Sequence, residues 1–456
     1  MNYRGILSAS ALALLVAWAS AGASYAQSIS QALTAAYDHA PDLQSALLSA
    51  KASAEGIVQA KSGLLPNIGA TISGSQGTSL VGGNWNASSS LSTGLSYSQT
   101  IFDNNRTAAQ VEAARAAAEV AEYQIRYTEQ NVLLQVVQAY MAVLSGRELL
   151  ALRQENVTFF QAQLQSAQDR LDVGEGTRID VAQAQARLAQ GQAAQQAALG
   201  DLQNSEASFQ RLVGQRPQGL STGHAYANLL PRSIDAAIAE AEIGHPAILL
   251  SKASIRAAQA GSDAAQAGYF GATAGVTGQV GTSWTGPSGN PARDGISASL
   301  GFQINIPIYS GGRMGSAVRQ ANLNQIKSEV DAMSAYDQIR EAVISAWTGI
   351  QSADAQISAA QAAVSSSNTV LDGVIQERDL GAATTLDVLN AQADLTSARE
   401  ALINASNGKI IATFSLLSAM GRLTAHDLGL AVEIKTAVPY TQAVEDVWQE
   451  LRTVVE

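Results

Sequence analysis

Apolar and polar positions along this chain follow two different periods, and the switches between them mark out a programme that runs twice. Ser28 to Leu65 reads as helix, divided by Pro41 and stopped by Pro66. At Asn67 the period drops to two. Ile68, Ala70 and Ile72 alternate with Gly69 and Thr71. A Gly/Ser/Asn loop is expected from Gly74 to about Asn86, and Leu91, Thr93, Leu95, Tyr97 and Ile101 then alternate with small polar residues. Each strand is expected to be about 10 residues long, enough to cross a bilayer when tilted. From Thr107 the spacing is helical again. Val111, Ala114, Ala118, Ala121 and Ile125 form a seam of small residues suited to close coiled-coil packing. With no proline before Gly174, one helix is predicted over 107–173, roughly 100 Å long at 1.5 Å per residue. A return helix follows over 177–213.

After a linker at 215–232 that carries Pro217 and Pro231, the order repeats: a helix from Ser233 broken at Pro246, a hairpin over 272–309, a long helix over 314–380 and a return helix over 384–420. The hairpin of the first copy spans 67–102, and the copies occupy 27–214 and 233–421. The economical layout sets each pair of shorter helices end to end beside a long one. The tail, 422–456, has no counterpart of similar length, and its Pro439–Glu456 part is expected to be a helix lying against the outside.

The repeat is sharpest at the junction of long and return helices. Asp169–Leu188, DRLDVGEGTRIDVAQAQARL, and Gln376–Leu395, QERDLGAATTLDVLNAQADL, share nine identical residues in twenty. Gly174 and Gly381 are the expected helix stops. Thr177 and Thr384 are the expected N-caps, with Asp180 and Asp387 three residues on as capping-box acids. A repeat fixes architecture before any motif does.

The first residues change the compartment. Met1–Ala26 has Arg4, an apolar run from Ile6 to Ala19, and Ser24 and Ala26 before a cleavage point, so a signal peptide over 1–26 and a mature start at Gln27 are expected. There is no cysteine for a disulfide, a thiol site or a lipid anchor at that point. A net charge of −11 argues against nucleic acid as a partner. No 18-residue apolar run follows residue 26, so a membrane would be crossed by strands.

Four strands cannot close a barrel, and open edges cannot face lipid because their backbone groups would go unsatisfied. The chain is therefore expected to oligomerise. A dimer would give eight strands and a trimer twelve, and the small polar inner face favours the wider ring.

The repeated helix–hairpin–helix order resembles the TolC family of outer-membrane efflux and secretion channels over essentially the whole mature chain. Ile304–Arg313 (INIPIYSGGR), Leu380–Leu389 (LGAATTLDVL) and Leu416–Gly421 (LLSAMG) carry the resemblance. It implies an α+β membrane protein, a homotrimer with a twelve-stranded barrel in outer-membrane lipid and an α-helical periplasmic tunnel. It also implies a periplasmic membrane-fusion adaptor and an inner-membrane transporter of ABC or RND type, exporting small toxic compounds or type I secreted proteins. The tail is then an equatorial, periplasmic segment.

The resemblance gives the repeated turn a role as the periplasmic gate. Asp387 in three copies would form an acidic ring that prefers cations. The family's second acid, one turn on, is here Asn390. Its tyrosine and arginine links fall on Arg378 and Ala383, so Arg378, or Arg178 of the first turn, is a candidate partner for Asp180. No catalytic constellation, cofactor site or metal site stands out. His39, His224, His245 and His426 are scattered, and His39 and His245, just before prolines, are expected at helix starts. Trp85, Trp284, Tyr97, Phe102, Phe302 and Tyr309 are candidates for interfacial girdles. The rival readings are a periplasmic coiled-coil adaptor, or a structural protein without its own pore.

Overall fold

The computed structural model describes residues 27–221, 226–269, 271–287 and 293–445. The expected signal segment, His224, Pro291 and residues 446–456 of the expected tail helix lie outside the described residues.

The elements run α1 (Ile29–His39), α2 (Pro41–Lys61), β1 (Asn67–Val81), β2 (Asn84–Phe102), α3 (Arg106–Asp172), α4 (Arg178–Val213), α5 (Ile234–Gly244), α6 (Pro246–Gly268), β3 (Thr273–Pro287), β4 (Arg293–Asn305), α7 (Arg313–Asp379), α8 (Thr385–Ala419) and α9 (Val438–Glu445). Both long helices have 67 residues. His39 closes α1 and His245 is the C-cap of α5, its N–H donating to Ala241 O at 2.9 Å. Both histidines therefore end helices rather than start them. The proline that follows disfavours helical backbone at the residue before it, so the break falls there.

The described chain forms two compact units, and each draws on both sequence repeats. One, from residues 27–43, 127–245 and 338–434, is helical. Small side chains allow close helix packing in it, as in the cluster of Ala237, Ala241, Val343, Leu416, Ala419 and Met420. Tyr140 is buried against Phe209, and its hydroxyl accepts from the Ser221 N–H at 2.9 Å.

The other unit, from residues 44–126, 246–337 and 435–445, carries one antiparallel sheet in the order β1-β2-β3-β4. Directly opposed residues share a face in such a sheet. The pairs Ile68–Tyr97, Ala70–Leu95, Leu95–Val280, Leu91–Trp284, Val280–Ala298, Thr282–Ile296 and Val276–Phe302 therefore set one apolar face across all four strands. The opposite face carries Thr71, Ser73, Ser75, Ser92, Ser96, Gln279, Ser297, Ser299 and Gln303. On that face the Ser73 and Ser92 hydroxyls meet at 2.7 Å, and those of Ser75 and Ser90 at 2.8 Å.

The strands are 15, 19, 15 and 13 residues long, well beyond the expected ten. The loop expected at Gly74–Asn86 is strand except for Gly82 and Gly83. With φ of +61° and +87°, these two glycines make a two-residue turn between the paired Val81 and Asn84. Serine-on-serine pairing extends the ladder where apolar alternation has faded. The second hairpin stops at Asn305, short of 309, because Pro307 has no N–H to continue it.

Candidate functional site

The repeated turns lie in the helical unit and are built alike. At the first, Gly174 takes φ +81° and donates to Leu171 O at 3.1 Å, and Glu175 N–H donates to Arg170 O at 2.8 Å. At the second, Gly381 takes φ +79° and donates to Arg378 O at 2.9 Å, and Ala382 N–H donates to Glu377 O at 2.8 Å. Each is a glycine stop in left-handed backbone that satisfies the last carbonyls of a long helix.

The return helices open with complete capping boxes. The Asp180 N–H donates to the Thr177 hydroxyl at 3.2 Å, and Thr177 N–H donates back to Asp180 Oδ2 at 3.0 Å. The Asp387 N–H donates to the Thr384 hydroxyl at 3.2 Å, and Thr384 N–H donates to Asp387 Oδ2 at 2.8 Å. Each threonine hydroxyl also donates to the same carboxylate oxygen, at 2.6 Å for Asp180 and 2.7 Å for Asp387. The bonds from the Thr384 hydroxyl and N–H hold the Asp387 carboxyl below its ordinary range, so it carries a full negative charge at neutral pH. Asp387 is exposed, with Oδ1 left over from the cap.

The candidate cations fall elsewhere than expected. Arg378 is buried at 8% exposure and does not reach Asp180. Its Nε and Nη2 hold Asp379 Oδ1 at 3.0 and 2.7 Å, and its Nη1 donates to Gln163 Oε1 at 2.5 Å. Arg170 Nη1 in turn donates to the Arg378 carbonyl at 3.4 Å. Arg378 thus ties the end of α7 to α3. Arg178 is exposed, and Asp180 is occupied by its own cap.

Two polar links went unread in the sequence. Arg187 of α4 donates through Nη2 to Asn390 Oδ1 of α8 at 3.0 Å, joining the two return helices nearly three turns past the cap of α4 and under two turns past that of α8. The repeat offers a signal for it, since Asp394 stands in the second copy where Arg187 stands in the first. Deeper in, Asn156 Oδ1 of α3 accepts from Gln392 Nε2 at 2.6 Å and from the Thr396 hydroxyl at 2.9 Å, with all three side chains buried. Beside this network, Leu371, Val388, Ala391 and Leu395 pack with Phe159. A buried polar set of this kind fixes the register of helices that apolar contacts alone would let slide.

The arrangement presents carboxylates and amides at two stiff helical turns. Among the described residues no group of three His, Asp or Glu side chains could hold a metal, and no helix is long and apolar enough to cross a membrane.

The family model described as outer membrane efflux protein matches residues 32–215 and 237–422. The outer membrane efflux protein BepC of Brucella suis is 38% identical over 364 residues, covering 79% of this chain and 78% of that protein. The outer membrane protein TolC of Escherichia coli is 26% identical over 418 residues, covering 89% of this chain and 84% of its own. The crystal structure of the CmeC outer membrane channel of Campylobacter jejuni matches with a TM-score of 0.76 over 92% of this chain and 89% of that one. At 18% identity, that last likeness is one of fold.

Proposed function

The chain belongs to the outer membrane efflux protein family, and from that premise we propose that three copies close a twelve-stranded barrel in the outer membrane, continued by a helical periplasmic tunnel. Substrates leave the cell through it after delivery by an inner-membrane transporter and a periplasmic adaptor. The observation that carries this reading is the four-stranded sheet, with one apolar face, one face of small polar residues and two unpaired edges at β1 and β4.

The apolar face fits lipid. The rows of Trp284 and Phe302 bracket Val280, Ala298 and Leu300, and lie about 26 Å apart along the strand at 3.3 Å per residue, close to the height of a barrel's apolar band. The Ser/Thr/Gln face fits water. Unpaired edges in lipid cost several kcal/mol per orphan backbone group, so β4 must take β1 of another copy. Twelve strands leave an aqueous lumen for the polar face, where eight would fill it with side chains. The same unit shows an apolar seam on α7 at heptad spacing, Leu323, Ile326, Val330 and Met333, all exposed. Such a seam suits a second copy.

The tip turns supply the gate in this reading. Three Asp387 carboxylates form an acidic ring, Asn390 leaves the next turn uncharged, and the Arg187–Asn390 and Arg378–Gln163 bonds hold the closed position. Asp180, Arg178, Thr177, Thr384, Gly174 and Gly381 shape the turns.

The test is the purified protein in a planar bilayer, with heat-modifiable gel migration. A trimer-sized band that collapses on boiling, together with discrete conductance steps, supports the reading, and a soluble monomer in the periplasmic fraction ends it. Within the gate, Arg378→Ser should raise conductance. Unchanged conductance would remove Arg378 from that role.

A further inference from the structure

The two repeats fasten their hairpins differently. In the second, α6 and α7 bond directly: the Ser262 hydroxyl donates to Asn322 Oδ1 at 2.6 Å, and Ser262 is buried. Asn322 is the tenth residue of α7, and the tenth residue of α3 is Arg115. Arg115 reaches α9 instead, where it donates through Nε to Glu445 Oε1 at 2.9 Å.

Four further residues of α2 and α3, Lys61, Glu55, Lys51 and Glu122, reach α9 or its start. Lys61, the last residue of α2, donates to the Glu445 carbonyl at 2.7 Å and sits 3.5 Å from its carboxylate. The Tyr440 hydroxyl donates to Glu55 Oε1 at 2.7 Å, and Lys51 Nζ stands 5.5 Å from the centre of the Tyr440 ring. At the helix start, Glu122 of α3 accepts from the Thr436 hydroxyl at 2.7 Å and from the Ala437 N–H at 2.9 Å, capping α9 from outside. Ala437 and Val444 are buried beneath these polar contacts. The start of α9 is thereby capped by α3, the Glu445 carbonyl is held by α2, and the Glu445 carboxylate bridges the cations of the two.

We propose that residues 435–445 are a clasp for the first hairpin. They fix α2 and α3, the helices that enter β1 and leave β2, in the place where the second repeat uses a direct helix-to-helix bond. The set of β1 then depends on a segment that follows both hairpins in the chain, whereas β3 and β4 are fastened as soon as α7 is made. If β1 is the edge that receives another copy, as proposed above, a chain not yet made through residue 445 presents it poorly and joins no ring. The clasp itself stands independently of that pore.

Amide hydrogen exchange on the whole purified protein tests it. In the double variant Tyr440→Phe, Glu445→Lys, the last turns of α2 (56–61) should exchange about tenfold faster or more, as two ion pairs and the Tyr440–Glu55 hydrogen bond are lost together. The last turns of α6 (261–268) should be unchanged. Asn322→Ala should give the reverse pattern. Equal loosening of both helix pairs, or of neither, overturns the clasp. Should the double variant fail to fold, the native chain decides. At 1 M salt the Debye length falls to about 3 Å, and α2 must loosen while α6 does not. Gel migration of the same samples reads the oligomer separately, so a failed clasp and a failed pore are told apart.

Discussion

Asp387 does two jobs with one carboxylate. Oδ2 closes the capping box with Thr384, and Oδ1 is left facing solvent. Asp387→Asn keeps an acceptor for the Thr384 N–H, so α8 should lose less than about 1 kcal/mol. The proposed charge ring would vanish, and the reversal potential in a salt gradient should move towards non-selective. An unmoved potential would place the selectivity elsewhere. His245 offers a second test at this scale. Burial lowers its pKa from 6.5 to about 4, so it is neutral in the folded chain at pH 7. Below pH 6.5 the unfolded chain binds a proton that the folded chain refuses until about pH 4. Stability therefore falls as pH drops through that window, by about 2 kcal/mol from this residue between pH 7 and 5. His245→Gln should flatten that part of the curve when denaturant midpoints are compared at the two pH values.

Helix α7 carries its apolar residues on more than one side, and the side with Leu323, Ile326, Val330 and Met333 finds no cover among the described residues, each being more than half exposed. Val330→Asp should leave the protomer folded, because Val330 is more than half exposed in it, yet weaken the proposed oligomer enough that it runs as a monomer without boiling. A heat-modifiable band at native intensity would show that the seam is not an interface. The helix ends were the most legible part of the sequence. Thr-x-x-Asp after a glycine states its chemistry locally, and the structure closes both boxes. The strand ends were least legible, because β1 and β2 are prolonged by Ser73–Ser92 and Ser75–Ser90 pairs that have no hydrophobic contrast to read. Arg378 was misplaced for a related reason. Its partner Gln163 lies in α3, 215 positions away, and nothing near either residue announces the other. The fastening of α9 was hidden in the same way, since Glu55, Lys61, Arg115 and Glu122 look like solvated surface charge until the tail is laid on them.

At the scale of the whole molecule, the sheet's apolar and polar faces are consistent across three interfaces, β1–β2, β2–β3 and β3–β4, so the β4–β1 interface of the proposed barrel would have to continue both faces. In that barrel a one-residue slip would turn apolar side chains to the polar side, which restricts the proposed β4–β1 register to steps of two. The chain has no cysteine, so an engineered pair is the only thiol couple present. Ser73→Cys on the polar face of β1, combined in turn with Ser297→Cys, Ser299→Cys or Gln303→Cys on the same face of β4, should give covalent dimers and trimers on a non-reducing gel for at least one partner. Coupling Ser73→Cys to Leu300→Cys, on the opposite face, should give none. Three bridges close a ring, so the ladder should stop at three copies. A ladder that continued past three would mean an open assembly instead of a barrel, and cross-linking on the wrong face would mean that the two faces are not segregated by lipid and water.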